Sequence, residues 1–173
     1  MQLRFNPLTP LAICFLLLLS CKPKEPKKVP VYMFGIAQGT FRTNDPDGDG
    51  KNDYWRGDIA GLYAIRSPQG KAIALIPLEA ALADSRPSAD LSGYGEKAPW
   101  CGYWFRAIRN EDEKGVLAPD RFAICCYPDQ YTPGKWTFII NELGVVFSKD
   151  LGHAGGVEVF PAMPLNDGWS RVE

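Results

Sequence analysis

The chain has 173 residues, enough for one domain with a substantial core and not for two. Apolar residues make up 46% and charged residues 23%, ordinary globular values. Residues 29–173 carry 14 Lys and Arg against 19 Asp and Glu, a net charge of −5, so they offer no basic footprint for nucleic acid.

The chain opens with MQLRFNPLTPLAICFLLLLSC, one positive charge at Arg4 followed by an apolar run from Leu11 to Leu19. Crossing a bilayer as a helix takes roughly 20 residues, so this shorter run reads as an export signal. Leu18-Leu19-Ser20-Cys21 closes it and resembles the bacterial lipobox. The resemblance implies cleavage before Cys21 and acylation of its thiol and new amino terminus, which anchors the protein to a membrane of the cell envelope. The division expected is a signal peptide over 1–20, a lipidated cysteine and tether over 21–30, and one globular domain over 31–173. The tether, KPKEPKKVP, holds four lysines and three prolines. It cannot bury a core, and its lysines suit anionic headgroups.

Val31, Phe34, Ala37–Gln38 and Phe41 fall near helical spacing and predict a short helix lying on a sheet, although Gly35 and Gly39 oppose it. The next stretch, NDPDGDGKND, resembles the first half of an EF-hand calcium loop. Asp45, Asp47 and Asp49 alternate, Gly50 is sixth, Lys51 seventh and Asp53 ninth, as convergent oxygen ligands around a sharp turn require. The twelfth position is Arg56 in place of a bidentate Glu. Two readings stand: a calcium site, or a polar turn in which Asp and Asn side chains bind nearby backbone.

Tyr54-Trp55 and Gly61–Ile65 read as a strand pair or irregular crossing, Arg66–Lys71 as a turn, and Leu78–Leu82 as a short helix with Pro77 at its first position. Asp84 to Pro99 reads as a surface loop. Cys101–Ile108 is a strand with Tyr103, Phe105 and Ala107 on one face and Trp104, Arg106 and Ile108 on the other. Asn110–Gly115 is a charged, hairpin-like excursion. From Arg121 to Gly152 three strands follow with short turns, predicting an antiparallel meander with one face on the core. Their sets are Phe122, Ile124 and Cys126, then Trp136, Phe138 and Ile140, then Val145, Phe147 and Lys149. Gly144 supplies the left-handed hairpin position. Val157–Pro161 reads as a further strand and Asp167–Arg171 as a docked tail.

GYWFR, FAICCYPDQY and TFIINELGVVFSKDLG together resemble an uncharacterised family of exported bacterial proteins with the pattern G-Y-[YW]-F-R, T-F-I-[VI]-N and G-V-V-[FY]-x-K-D-[LT]-G. NDYWRGDIAGLY and DGWSR are similar to that group too, and to the C-terminal head of type II secretion pseudopilins. The resemblance spans about residues 40–173. It implies an α+β, pilin-like head, a helix packed on an antiparallel sheet, and no catalytic residues. A pseudopilin begins with a long membrane helix, whereas here a lipobox and tether stand in its place.

His153 is the sole histidine, so a two-histidine metal site is impossible and a hydrolytic triad would have to use it. No Gly-x-Ser-x-Gly elbow is present. Zinc through Cys125, Cys126 and His153 lacks paired-ligand spacing. In an oxidising compartment Cys101 could pair with Cys125 or Cys126, and alternation favours Cys126; three reduced cysteines are the alternative. Tyr54, Trp55, Trp100, Trp104, Trp136 and Trp169 suit a core, or a sugar-stacking platform if exposed. The leading expectation is a lipid-anchored, non-enzymatic binding or structural domain acting on an envelope protein partner. A calcium-dependent carbohydrate or adhesion module, and a hydrolase using His153, are the alternatives.

Overall fold

The computed structural model describes residues 30–108, 118–153 and 155–172. The export signal, Cys21, the tether up to residue 29 and the Asn110–Gly115 excursion lie outside the described residues.

Helix α1 (Val31–Asn44) buries Val31, Phe34, Ala37, Gln38 and Phe41, the stripe that helical spacing predicts. It extends about one turn further than expected and stops where Asp45 turns left-handed (φ 43°), its N–H donating to the Phe41 carbonyl. Gly35 is explained by packing: a Cβ there would lie 2.9 Å from Ile140 Cδ1, so glycine lets the helix close onto the sheet. Phe34 meets Phe105 edge-on with ring centroids 4.8 Å apart.

Strands β1 (Tyr103–Ile108), β2 (Ala123–Pro128), β3 (Thr137–Asn141), β4 (Val146–Lys149) and β5 (Ser170–Arg171) form one antiparallel sheet in the order 1-2-3-4-5. The molecule is thus α+β, helices against a five-stranded meander. The β3–β4 turn carries Gly144 at φ 70°, as a tight hairpin requires. The tail docks as β5, and Trp169 is buried. Along the outer edge of β1, Ala83–Ser85 adds a parallel bridge: Ser85 N–H donates to Phe105 O and Phe105 N–H to Ala83 O.

Several expectations are corrected. Every residue of β2 is buried, because both faces of the sheet are covered and not one. On the first face Phe105, Ile124, Cys126, Phe138, Ile140 and Val146 pack with the helices. On the second, Ile108, Ala123, Cys125, Tyr127 and Ile139 pack with Trp169, Phe147, Val157 and Phe160. Residues 157–161 form no strand but lie across that second face. Trp136 precedes β3 and is 39% exposed. Gly61–Ala64 forms a one-turn helix, α2, instead of a strand, since Asp58 Oδ1 accepts the Gly61 N–H at 2.7 Å and starts the turn. The expected turn at Arg66–Lys71 is present, as is the helix α3 (Leu78–Leu82), with Pro77 just before it.

Cys101, Cys125 and Cys126 are free thiols. Trp100 and Tyr103 bond to each other across a two-residue turn in which Cys101 (φ 53°) and Gly102 (φ 79°) are both left-handed. Cys101 is therefore an exposed turn tip and not a strand residue beside Tyr103. Cys126 sits two pairs further in, opposite Phe105, and Cys125 opposite Arg106. Burial pushes the Cys125 thiol up to about 12 and Cys126 well above its usual value, so both stay protonated.

Phe34→Ala is expected to cost about 3–5 kcal/mol, because the cavity opens at the seam of helix and sheet. Urea unfolding measures this, and a loss below about 1 kcal/mol would show that α1 is not essential to the core.

Candidate functional site

One buried and one half-buried carboxylate, Asp84 and Asp58, build the ground on which the site rests. Asp84 is 1% exposed; its Oδ2 accepts the Ala60 N–H at 3.0 Å and its Oδ1 the Arg86 N–H at 2.8 Å. Burial raises its pKa, and the backbone donors only partly offset this. Asp58 accepts N–H groups of Gly61, Ser88 and Ala89 and the Ser88 hydroxyl at 2.7 Å. These side chains splice α2 to the 84–89 segment, each replacing backbone partners that an irregular chain lacks. The Gln38 amide does the same for α1: it donates to Trp55 O at 3.1 Å and accepts Trp55 N–H at 2.9 Å.

Between these elements and the β1–β2 edge opens a cleft of about 450 Å³. Arg56, Arg86, Arg106 and Arg121 all line it, with Asp58, Asp84 and Glu158. Arg86 forks onto Glu158 through two bonds of 2.9 Å, and Arg106 Nη1 donates to Glu158 Oε1 at 2.5 Å. Arg106 is further held by Ser85 Oγ at 3.3 Å and lies 5.3 Å above the Tyr127 ring centre. The Arg86 bonds, helped by the charges of Arg106 and Arg86, hold Glu158 below the usual carboxylate range, and desolvation opposes them. Chemically this is a polar recess that presents guanidinium groups, the side chains best suited to planar oxyanions.

The aspartate turn gathers only part of its expected ligand set. Asp45, Asp47 and Asp49 bring carboxylate oxygens within 4.8 Å of one another. Asp45 accepts N–H groups of Asp49 at 3.2 Å and Gly50 at 3.0 Å, so the turn also satisfies itself locally. The Lys51 ammonium sits 2.8 Å from Asp49 Oδ2. Asp53 is buried outside the trio and faces Arg56 at 3.6 Å. Three carboxylates fall short of the six to eight oxygens that calcium takes, and water would have to complete the shell.

His153 does not line the cleft; it is exposed, its Nδ1 2.6 Å from Leu151 O. The aromatic residues do not form a row: Tyr54 and Trp169 are buried, Trp55, Trp100 and Trp104 pack against the cores, and Trp136 stands alone in being exposed among these six. The cleft's Asp58, Asp84, Arg86, Arg106 and Glu158 went unmarked in the sequence. One signal was available, namely Arg106, the lone charge inside an aromatic strand. Asp84 read as the start of a loop because nothing local marks it as buried.

Asp58 yields a pH prediction. Burial pushes its pKa up, but the bonds from Ser88, Gly61 and Ala89 outweigh it and leave it below 3.8. A depressed carboxyl contributes stability that is complete above the unfolded value and disappears as pH falls through the folded one. Asp58→Asn is expected to lose on the order of 2 kcal/mol at pH 7, with the gap from wild type narrowing toward pH 3. Asp84 works in the opposite sense, its contribution most favourable at low pH and declining as pH rises from 3.8 through its raised value. Urea melts at both pH values check this; a gap as wide at pH 3 as at pH 7 would contradict it.

No curated protein and no solved structure matches the chain. The family described as "Protein of unknown function (DUF2950)" matches residues 33–172, and the chain belongs to that family.

Proposed function

We propose that this chain is a lipid-anchored protein of the bacterial cell envelope whose α+β domain is a non-catalytic binding module, engaging an envelope protein partner through the arginine-lined cleft. The observation that carries the reading is the convergence of Arg56, Arg86, Arg106 and Arg121 on one recess. Its acids serve as scaffold: Asp58 and Asp84 are committed to backbone donors and Glu158 to two guanidiniums. Groups so engaged position a surface and are poorly placed to take up a proton from a substrate. Anchoring rests on Leu18–Cys21, and among the described residues no helix is long and apolar enough to cross a membrane. Kinship with pseudopilin heads is part of the same proposal, supported by the motifs and by a helix lying on an antiparallel meander.

The test is photo-crosslinking in intact cells fed a labelled lipid precursor, with a photoreactive residue in place of Ala118 at the cleft wall. The expected result is lipid label on the chain that vanishes in Cys21→Ser, and one protein adduct that vanishes in Arg86→Ala. Label retained by Cys21→Ser would remove the anchor; the absence of any Arg86-dependent adduct would remove the cleft as a contact surface.

A second reading concerns the trio Asp45, Asp47 and Asp49, whose oxygens converge within 4.8 Å. It is proposed as a calcium site of ~10⁻⁴–10⁻³ M, sufficient outside the cytoplasm. Millimolar calcium is then expected to raise the melting temperature, and Asp47→Asn to abolish the rise. A melting temperature indifferent to calcium and to chelator leaves the trio as a self-satisfied turn.

A further inference from the structure

The two arginines that grip Glu158 form a carboxylate-binding fork filled by the chain's own carboxylate. Three N–H donors reach its two oxygens, two from Arg86 at 2.9 Å and one from Arg106 at 2.5 Å. The fork is prebuilt on one side. Arg106 is 13% exposed, and Ser85 Oγ and the Tyr127 ring hold its guanidinium independently of Glu158.

The occupant is far less constrained. Glu158 is 60% exposed and lies on residues 155–161, outside any strand. Its neighbours Val157 and Phe160 are only half-buried, and the Val157 N–H reaches a weak acceptor, Cys125 Sγ, at 3.5 Å. An ion pair whose carboxylate stands in solvent contributes little net stability, so exchanging this carboxylate for another costs little. The surroundings favour an anion: Arg56 and Arg121 line the same cleft, whose 450 Å³ suits a small ligand or the end of a chain. Of the acids near these four guanidiniums, Asp84 and Asp58 face backbone donors, and Asp53 lies 3.6 Å from Arg56.

We propose that the cleft binds a carboxylate-bearing ligand, one carboxylate of which replaces Glu158 between Arg86 and Arg106. The proposal rests on the binding-module reading and names the chemistry of what is bound. Glu158 then acts as an internal competitor that lowers apparent affinity by the fraction of time it fills the fork. The carboxylate could belong to a free organic acid or to the terminus of a partner polypeptide.

The test is calorimetric titration of the full chain in detergent micelles at low ionic strength, with succinate, with a short peptide bearing a free C-terminal carboxylate, and with inorganic phosphate. Glu158→Gln is expected to bind succinate or the peptide at least tenfold more tightly than wild type, and adding Arg86→Ala is expected to erase that gain. Glu158→Ala serves as the second variant, and thermal melts confirm that each chain is folded. The tighter of succinate and peptide identifies the source of the carboxylate. Unchanged or weaker affinity in both Glu158 variants, or phosphate binding more tightly than either carboxylate, would overturn the proposal. If the Ala118 adduct forms while these titrations fail, the binding module stands and the carboxylate assignment falls.

Discussion

A central strand buried on both faces is the constraint on which the rest of the structure depends. β2 exposes none of its six residues, so each face of the sheet needs its own cover. α1 covers one, its stripe of Val31, Phe34, Ala37 and Phe41 seated where Gly35 admits Ile140. The other is covered by the C-terminal segment through Val157, Phe160 and Trp169. That second cover has a consequence for chemistry. Laying residues 157–161 across the sheet carries Glu158 to Arg106, which projects from β1, and to Arg86, which follows the bridge along the edge of β1.

The edge of β1 is also where irregular chain must be made rigid. Residues 45–100 hold only two short helices among turns, and a backbone so irregular has few partners of its own. Gln38, Asp58 and Asp84 supply them, each bonding backbone at a distance in sequence. Their burial costs desolvation, most plainly at Asp84, and the result is a fixed wall for the cleft. The same economy leaves the arginines facing the recess with a single exposed carboxylate between two of them.

Local pattern made much of this legible. The α1 stripe, the helix at Leu78–Leu82, the alternation of Phe122, Ile124 and Cys126 against Ala123, Cys125 and Tyr127, and the left-handed Gly144 are each properties of a few neighbouring residues. Elsewhere local reading failed for identifiable reasons. Cys101 looked like a strand residue because alternation cannot reveal a two-residue turn that places it left-handed. Val157–Pro161 has strand composition, but the sheet already ends in β5 and the segment is used as a lid on the second face. Of the Asp45–Asp53 set, three carboxylates converge, while Asp53 turns to Arg56, a pairing that spacing alone does not encode.

The sequence by itself determined the fold class, the family, the helix seam and the meander, since periodicity and turn chemistry act over a handful of residues. Its apolar start and Leu18–Cys21 support the expectation of export and anchoring in the same local way. Only the tertiary structure decided that both sheet faces are buried, that the thiols stay apart, and that Arg56, Arg86, Arg106, Arg121 and Glu158 share one cleft. The reason is physical: Arg86 and Arg106 are 72 and 52 residues from Glu158 along the chain. Contacts over such separations arise from packing two covers on one sheet, and no local pattern records them.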